Sequence, residues 1–222
     1  MEIHLFRLKY FIYMEYCMKN IFCIRHGLAF HNVLGQEIGS KAYYLEKSFD
    51  APLVEKGILQ AKNLADSWDD LQKIKKVFVS PLTRTLQTAE YIFNDNKNTI
   101  IIALDSIKEF PQGLEICNKR KDRKILKEKF KKIDFSELDS TKDEMWREDR
   151  YETKEELLKR INKLIIMLKN LNEDNIAIVS HNSFLKQMIF GNIGDVSNQL
   201  KHCHPYKFDI SYAEIHQDSI VE

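Results

Sequence analysis

Short apolar runs and amphipathic segments alternate along most of the chain. The apolar runs are rich in Ile and Val and end abruptly at polar residues, which is typical of strands buried on both faces. Four such runs predict strands, at Ile21–Ile24, Lys76–Val79, Thr99–Leu104 and Ile176–Val179. A looser alternation over Tyr206–Ile215 predicts a strand at the edge of the sheet.

Segments with helical periodicity separate these strands. Apolar residues recur every three or four positions from Leu157 to Leu171, and three further segments show the same pattern. The predicted helices are Leu53–Trp68, Thr83–Phe93, Leu157–Leu171 and Ser183–Phe190. Strands that alternate with helices predict an α/β fold, here a three-layer, doubly wound and mostly parallel sheet with helices on both faces.

Two stretches depart from this alternation. Residues 110–150 are charged and aromatic without a strand signal, and we predict that they form a helical or loop cap insertion over one end of the sheet. Residues 30–49 are predicted as a loop that lines the same region. No internal repeat or Gly/Ser-rich linker divides the chain, so residues 18–222 are predicted to form a single domain. Residues 1–17 precede the first strand and are predicted to be a non-essential extension.

Composition and charge exclude several classes of protein. The 222 residues carry 34 Lys and Arg against 33 Asp and Glu, a balance that argues against nucleic acid as the main partner. No run of 18 apolar residues is free of charge, so neither a transmembrane helix nor a membrane partner is expected. The 4 cysteines form no CxxC pair, which favours reduced thiols and a cytoplasmic location.

Charged and imidazole side chains follow the predicted strands at the point where each strand ends. In the order of the strands they are Arg25 with His26, Arg84, Glu109 and His181. The carboxyl ends of parallel strands lie along one edge of a sheet, where ligands of such folds bind. The pattern therefore predicts that two arginines, two histidines and one glutamate meet in a single crevice.

This set of side chains suits the transfer of a phosphoryl group. Two guanidinium groups can bind the oxygens of a phosphate ester, because their donors match its geometry. A neutral imidazole beside the ester can attack phosphorus and form a phosphohistidine. A second imidazole can stabilise the transferring group, and a carboxyl group can protonate the leaving alcohol and then activate water. Arginine and histidine supply the positive charge, so neither a metal nor another cofactor is expected.

Three segments, in this order, resemble the histidine phosphatase superfamily, which includes the cofactor-dependent phosphoglycerate mutases. They are RHGLAFHN at residues 25–32, SPLTRTLQTA at 80–89 and SHNSFL at 180–185. The segment that begins with DAPL at residue 50 is similar to the opening of the family's first long helix, except that Val54 replaces a usual Thr. This replacement removes a helix cap worth about 1 kcal/mol. His202-Cys203-His204-Pro205-Tyr206 is similar to a eukaryotic-type branch of phosphoglycerate-mutase-like proteins.

The resemblance implies a role for each matching residue and the family's doubly wound fold with a cap. His26 is implied to be the nucleophile that becomes phosphorylated. The residues assigned to phosphate binding are Arg25, Asn32, Arg84, His181 and Asn182. Glu109 is assigned as the general acid and base, with Glu115 and Asp105 in the same stretch as alternatives.

The segment Phe110–Lys132 does not resemble the substrate-binding insert of glycolytic mutases, which favours hydrolysis over isomerisation. We therefore predict a metal-independent phosphatase, a hydrolase that acts on a small-molecule or other phosphorylated substrate. A cofactor-dependent phosphoglycerate mutase-type phosphotransferase and a catalytically inactive binding relative are alternatives. Polyanion binding through the basic run 119–124 is a further alternative, although such a run is usually a solvated face.

Two other sets of residues are given structural interpretations. His202 and His204 share a face of an extended segment, but two histidines without a third ligand make a poor zinc site, so a structural role is predicted. Cys117 and Cys203 are predicted to be inert thiols.

Overall fold

The computed structural model describes residues 19–138, 140–194 and 198–210. The predicted extension 1–17 and the end of the last predicted strand, residues 211–215, lie outside the described residues. Within them the strands are β1 (Asn20–Arg25), β2 (Lys76–Val79), β3 (Ile100–Ala103), β4 (Ile133–Asp134), β5 (Asn175–Ser180) and β6 (Pro205–Phe208). These form one sheet in the order β4-β3-β2-β5-β1-β6, in which neighbours are parallel except for β6, which is antiparallel to β1.

Helices cover both faces of this sheet. They are α1 (Phe30–Ile38), α2 (Glu55–Ser67), α3 (Thr83–Phe93), α4 (Arg123–Lys129), α5 (Lys154–Lys169) and α6 (Asn182–Phe190). Alternate residues of β1 point to opposite faces, so Phe22 and Ile24 pack in the core cluster with α2 and α3, whereas Ile21 and Cys23 pack with α5 and α6. The predicted α/β fold with two helical layers is therefore confirmed. No helix in the described ranges is long and apolar enough to cross a membrane.

The predicted helices and strands are confirmed within a few residues, but two predictions about the connections are wrong. Residues 30–49, predicted as a loop, contain α1 and two short 3₁₀ helices. Helix α1 buries only His31 and Leu34 and contains Gly35, so its apolar periodicity is weak. The cap region, predicted to lack a strand, contributes β4, whose Ile133 and Asp134 pair with β3. Two residues are too few to show an alternating pattern.

Two glycines bring α2 against the loop that follows β1. A Cβ atom on Gly27 would lie 2.5 Å from the carbonyl oxygen of Gly57, and one on Gly57 would lie 2.1 Å from that of Leu28. Neither glycine can carry a side chain without displacing backbone. The helix begins after Val54, which accepts no hydrogen bond with its side chain, as the sequence predicted. This contact fixes the path of the chain immediately after His26.

Candidate active site

His26 lies at the carboxyl end of β1 and is only 2% exposed. Its backbone N–H donates to the carbonyl oxygen of Ser180 at the end of β5, at 3.0 Å. The side-chain Nδ1 lies 2.7 Å from the carbonyl oxygen of Gly27. Because a carbonyl oxygen can only accept, Nδ1 carries the proton of the neutral ring and Nε2 keeps its lone pair. The Gly27 N–H is itself held by Thr88 Oγ1 on α3, at 3.0 Å.

Three further imidazoles surround His26. The centroids of His181, His202 and His31 lie 5.1, 5.6 and 5.9 Å from that of His26. His181 directly follows β5, and His31 lies on α1. His202 lies shortly before β6 begins at Pro205. His202 Nδ1 donates to the carbonyl oxygen of His26. His202 was missed as a neighbour of His26, because it is brought there by its bridge to Arg25 and by the return of β6 beside β1.

All four rings are neutral at pH 7. Burial lowers the pKa of His26, His31 and His181 well below the usual range, and the positive charge of Arg84 adds to this effect in each case. Burial likewise lowers the pKa of His202 to about 4. The site therefore holds imidazoles that can act as nucleophile, donor or acceptor without first losing a proton.

Arg25 is buried beside His26 at the end of β1. Its Nη1 donates to Gln199 Oε1 at 2.9 Å and to the carbonyl oxygen of Leu200 at 2.8 Å. The Leu200 N–H in turn donates to Asn182 Oδ1 on α6, at 2.9 Å. Asn182 therefore contacts the segment that orients Arg25.

Arg84 is the second residue of α3 and is 1% exposed. Its Nη1 donates to the carbonyl oxygen of Cys117 at 2.7 Å, and its Nη2 donates to Asn118 Oδ1 at 2.8 Å. The Asn118 amide nitrogen donates to Glu115 Oε2 at 3.0 Å. The cap thus orients Arg84 through a three-residue turn.

Four buried side-chain nitrogens in this cluster have no hydrogen-bond partner among the described residues. They are Nε of Arg25, Nε of Arg84, Nδ1 of His31 and Nδ1 of His181. Buried polar groups are nearly always hydrogen-bonded, so such a concentration marks a place where a ligand supplies the partner. His181 Nε2 lies 2.7 Å from Ser80 Oγ, and His31 Nε2 lies 3.0 Å from the amide nitrogen of Asn32. With the Ser80 hydroxyl and the Asn32 amide as donors, both Nδ1 atoms are donors available to an anion.

Glu109 follows β3 and is aimed at the first turn of α6. Its Oε1 accepts from the backbone N–H of Phe110 at 2.8 Å and from those of Ser183 and Phe184 at 3.1 Å each. Burial raises the pKa of this carboxyl group, and the N–H groups of Phe110 and Phe184 together with Arg84 and Arg25 oppose the increase. Glu109 is therefore a carboxyl group whose neutral form is favoured by burial and whose anion has donors ready to receive it.

The two alternative acids have different surroundings. Asp105 accepts from Nε and Nη2 of Arg120 at 2.8 and 3.0 Å, which commits it to a buried ion pair. Glu115 is half-buried, and burial together with the nearby Glu109 raises its pKa to about 7. Of the three carboxyl groups named from the sequence, Glu109 and Glu115 are thus the two that face the cluster.

The basic run 119–124 was predicted to be a solvated face, and this prediction is wrong for Arg120. Arg120 is 2% exposed and, besides Asp105, donates to the carbonyl oxygens of Lys121, Ser140, Thr141 and Lys142. Arg120 thus connects Asp105 with the cap segment 140–142. Lys119 and Lys121 lie over the rings of Trp146 and Phe49, at 4.0 and 5.4 Å from their centroids.

The remaining thiols near the site are buried. Burial raises the pKa of Cys117 and of Cys203 to about 12, so the thiolate is scarce at neutral pH. In the described part of the chain, no group of three or more His, Cys, Asp or Glu side chains has an arrangement suited to a metal ion.

Known proteins resemble this chain over most of its length. The family model of the Histidine phosphatase superfamily (branch 1) matches residues 21–221. Phosphoglycerate mutase-like protein 1 of Arabidopsis thaliana is 31% identical over 224 residues, which cover 87% of this chain and 76% of the relative. Phosphomutase-like protein 3 of Candida albicans is 29% identical over 185 residues, which cover 75% of this chain and 58% of the relative.

Solved structures share the fold at lower sequence identity. The alpha-ribazole phosphatase from Shigella flexneri aligns with a TM-score of 0.59 and 22% identity, over 86% of this chain and 90% of that one. A phosphoserine phosphatase from Entamoeba histolytica, in complex with 3-phosphoglyceric acid, aligns with a TM-score of 0.51 and 20% identity, over 86% and 96%. The three motifs, the fold and the family match agree, and the chain is a member of the histidine phosphatase superfamily.

Proposed function

We propose that this protein is a phosphomonoesterase that forms a phosphohistidine on His26. The observation that carries the proposal is the setting of that ring: it is buried and neutral, and its Nδ1 proton is bound by the Gly27 carbonyl oxygen. This leaves Nε2 as the nucleophile. Buried nitrogens of Arg25, Arg84 and His181 without partners among the described residues are the complement that a phosphate group requires.

In the first half of the reaction, the lone pair of His26 Nε2 forms a bond to phosphorus. The ester P–O bond breaks, and its electron pair stays on the leaving oxygen. Arg25, Arg84 and His181 stabilise the non-bridging oxygens of the transferring group, where negative charge is concentrated. Asn32 assists through His31, whose Nε2 it holds, and Asn182 assists through the segment that orients Arg25.

Glu109 is the proposed general acid and then the general base. In its neutral form it protonates the leaving alcohol, and the resulting carboxylate is stabilised by the N–H groups of Ser183 and Phe184 at the start of α6. In the second half of the reaction the carboxylate takes a proton from water, whose oxygen attacks phosphorus. The N–P bond breaks, its electrons return to His26 Nε2, and inorganic phosphate is released.

Hydrolysis of p-nitrophenyl phosphate between pH 5 and 8, with EDTA present, tests this proposal. We expect turnover by the wild type and a decrease in kcat on the order of a thousandfold or more for His26→Ala, because the covalent route is lost. An acid-labile phosphoprotein should accumulate from labelled substrate in the wild type alone. Activity near the wild-type level in the variant would reject His26 as the nucleophile, and loss of activity with EDTA that a divalent metal restores would reject the metal-independent scheme.

The names of the curated relatives support a second candidate function, that of a phosphoglycerate mutase-type phosphotransferase. Such an enzyme would use the same phosphohistidine but return the phosphoryl group to a substrate hydroxyl instead of water. The measurement that separates the two is the fate of labelled 3-phosphoglycerate in the presence of 2,3-bisphosphoglycerate. Release of inorganic phosphate favours the phosphatase, and formation of 2-phosphoglycerate without release favours the mutase.

A further inference from the structure

A cleft of about 240 Å³ lies between the end of the cap and α5. Its lining residues include five cationic side chains and only two carboxylates. The cations are Arg147, Arg150, Lys159, Arg160 and Lys163, and the carboxylates are Glu152 and Glu156. We infer that this cleft is a second binding site, separate from the histidine cluster, for a phosphate-type anion that also carries a hydroxyl group.

Both carboxylates of the cleft are already neutralised by arginine. Arg150 donates from Nη1 and Nη2 to the two oxygens of Glu156 at 2.8 and 2.6 Å. Arg160 donates from Nε and Nη2 to the two oxygens of Glu152 at 2.6 and 3.0 Å. Paired forks of this kind use up the negative charge of the cleft and leave an excess of positive charge.

The excess resides on side chains that are exposed toward the cleft. Within the described ranges, Arg147 and Lys163 form no ion pair, and Lys159 forms one only with the highly exposed Glu155, at 2.7 Å. An exposed ion pair of this kind contributes little to stability and is readily broken. An anion in the cleft therefore gains the charge of two or three cations without having to break a buried interaction.

Gln112 supplies a second, independent indication of a ligand. It is 1% exposed and lines the cleft, and its Oε1 has no hydrogen-bond partner in the described part of the chain. The orientation of the amide is fixed because Nε2 donates to the carbonyl oxygen of Glu109 at 2.7 Å. A buried acceptor without a donor is costly, so the missing partner is a group with an O–H or N–H. A phosphate monoester in its protonated form carries both the charge and the O–H.

The cleft is joined to the proposed catalytic acid by two side chains. Gln112 donates to the Glu109 carbonyl oxygen from one side, and Arg160 Nη2 donates to the same oxygen at 3.3 Å. Arg160 Nη1 also donates to the carbonyl oxygens of Ser106 and Lys108, at 2.9 and 2.7 Å. An anion that binds Gln112 beside Arg160 therefore acts on the backbone that positions Glu109. This coupling, unlike the binding itself, rests on the proposed function.

Isothermal titration of the protein with inorganic phosphate tests the binding site without requiring turnover. We expect two binding events per chain in the wild type and one in Arg147→Ser/Lys163→Ser. The event that disappears should favour phosphate over sulfate by about tenfold, because sulfate has no O–H for Gln112. The matched control is Lys142→Ser/Lys154→Ser, which removes two exposed cations from the cap and α5 outside the cleft and should keep both events.

The coupling has its own readout in the inhibition of p-nitrophenyl phosphate hydrolysis by phosphate. Binding at the catalytic site alone raises KM, whereas binding in the cleft adds a change in kcat that the Arg147/Lys163 variant should lack. Identical titrations of the wild type and that variant would overturn the inferred site. Two binding events in a protein without phosphatase activity would instead retain the site and reject the proposed function.

Discussion

The strand-end cluster and the cap hold buried polar side chains in opposite ways. In the cap, buried charges are matched: Arg120 pairs with Asp105, and Lys108 Nζ lies 2.5 Å from Asp143 Oδ2, with both side chains at most 1% exposed. At the strand ends, the imidazoles are neutral, and several buried nitrogens have no partner in the described chain. Arg84 connects the two regions, because its guanidinium is held by the cap and its Nε is left over.

This difference distinguishes buried charges that stabilise the fold from buried donors that are available to a ligand. A buried ion pair with every donor used adds no affinity for a ligand, and breaking it leaves an uncompensated charge. A buried donor without a partner is costly to the empty protein and returns that free energy when an anion binds. By this criterion Arg120, although it lies in the basic run 119–124, has a structural role, whereas His181 is a candidate for ligand binding.

Among substitutions that compare the two regions, removal of the Glu109 carboxyl group is expected to have the largest effect on kcat. For Glu109→Gln we expect kcat on an alkyl phosphate to fall by about 10² to 10⁴, because an alkoxide leaves poorly without a proton. Steady-state kinetics on an alkyl phosphate and on p-nitrophenyl phosphate measure this. The latter should lose much less activity, since p-nitrophenolate leaves without protonation, and an equal loss on both substrates would contradict the role as general acid.

Glu115 tests whether the cap influences the chemistry of the strand-end cluster, because it is a cap residue that faces the cluster. Besides burial, the charge of Glu109 contributes to the raised pKa of Glu115. Because repulsion between two carboxylates is mutual, Glu115→Gln should lower the pKa of Glu109 and move the alkaline limb of the kcat profile to lower pH. The profile is measured on an alkyl phosphate between pH 5 and 9, with Glu148→Gln, an exposed cap residue, as the control. A profile that is the same in all three proteins would remove Glu115 from the acid–base chemistry.

The same substitution has a consequence for stability. The pKa of Glu115 is about 7 in the folded protein, above its ordinary value, so the stability that its bound proton contributes is lost as pH rises through 7. Glu115→Gln carries no such charge. Its Tm relative to the wild type should therefore be higher at pH 8 than at pH 5, as measured by calorimetry, and a constant difference would count against the raised pKa.

The smallest effect is expected at Val54, outside both regions. Val54 occupies the N-cap of α2 with extended dihedral angles, φ −85° and ψ 166°, but its side chain accepts no hydrogen bond. Val54→Thr supplies an acceptor and should raise the free energy of unfolding by about 1 kcal/mol. Urea denaturation measures this change, and kcat should not move. A stabilised protein with lower activity would instead show that the start of α2 affects the site, which the Gly27–Gly57 contact adjoins.

The sequence was sufficient to predict five of the six strands and most of the side chains at their ends, because each depends on a local pattern. Apolar runs such as Ile21–Ile24 and periodic segments such as Thr83–Phe93 indicate their own structure. Parallel strands then bring His26, Arg84 and His181 to one edge without further information. Motif resemblance added the family, which is confirmed.

What the sequence did not reveal depends on partners that are distant along the chain. Arg120 has the same basic neighbours whether it is solvated or buried, and only Asp105 decides between these states. His202 approaches His26 because β6 runs antiparallel beside β1, and no local pattern around His202 indicates that direction. Strand β4 escaped prediction because two residues cannot show a period.

The position of β1 in the sheet has a consequence for synthesis of the protein. Its two neighbours, β5 and β6, are the last strands of the described chain to be made, and β5 begins at Asn175. At typical translation rates of about 5 to 20 residues per second, the nascent β1 waits roughly 8 to 30 s for its first partner. During that interval the apolar strand that precedes His26 has both edges unpaired. The ribosome must therefore complete β5 before His26 and His181 can lie side by side, whereas Arg84 and the cap turn that holds it are made earlier.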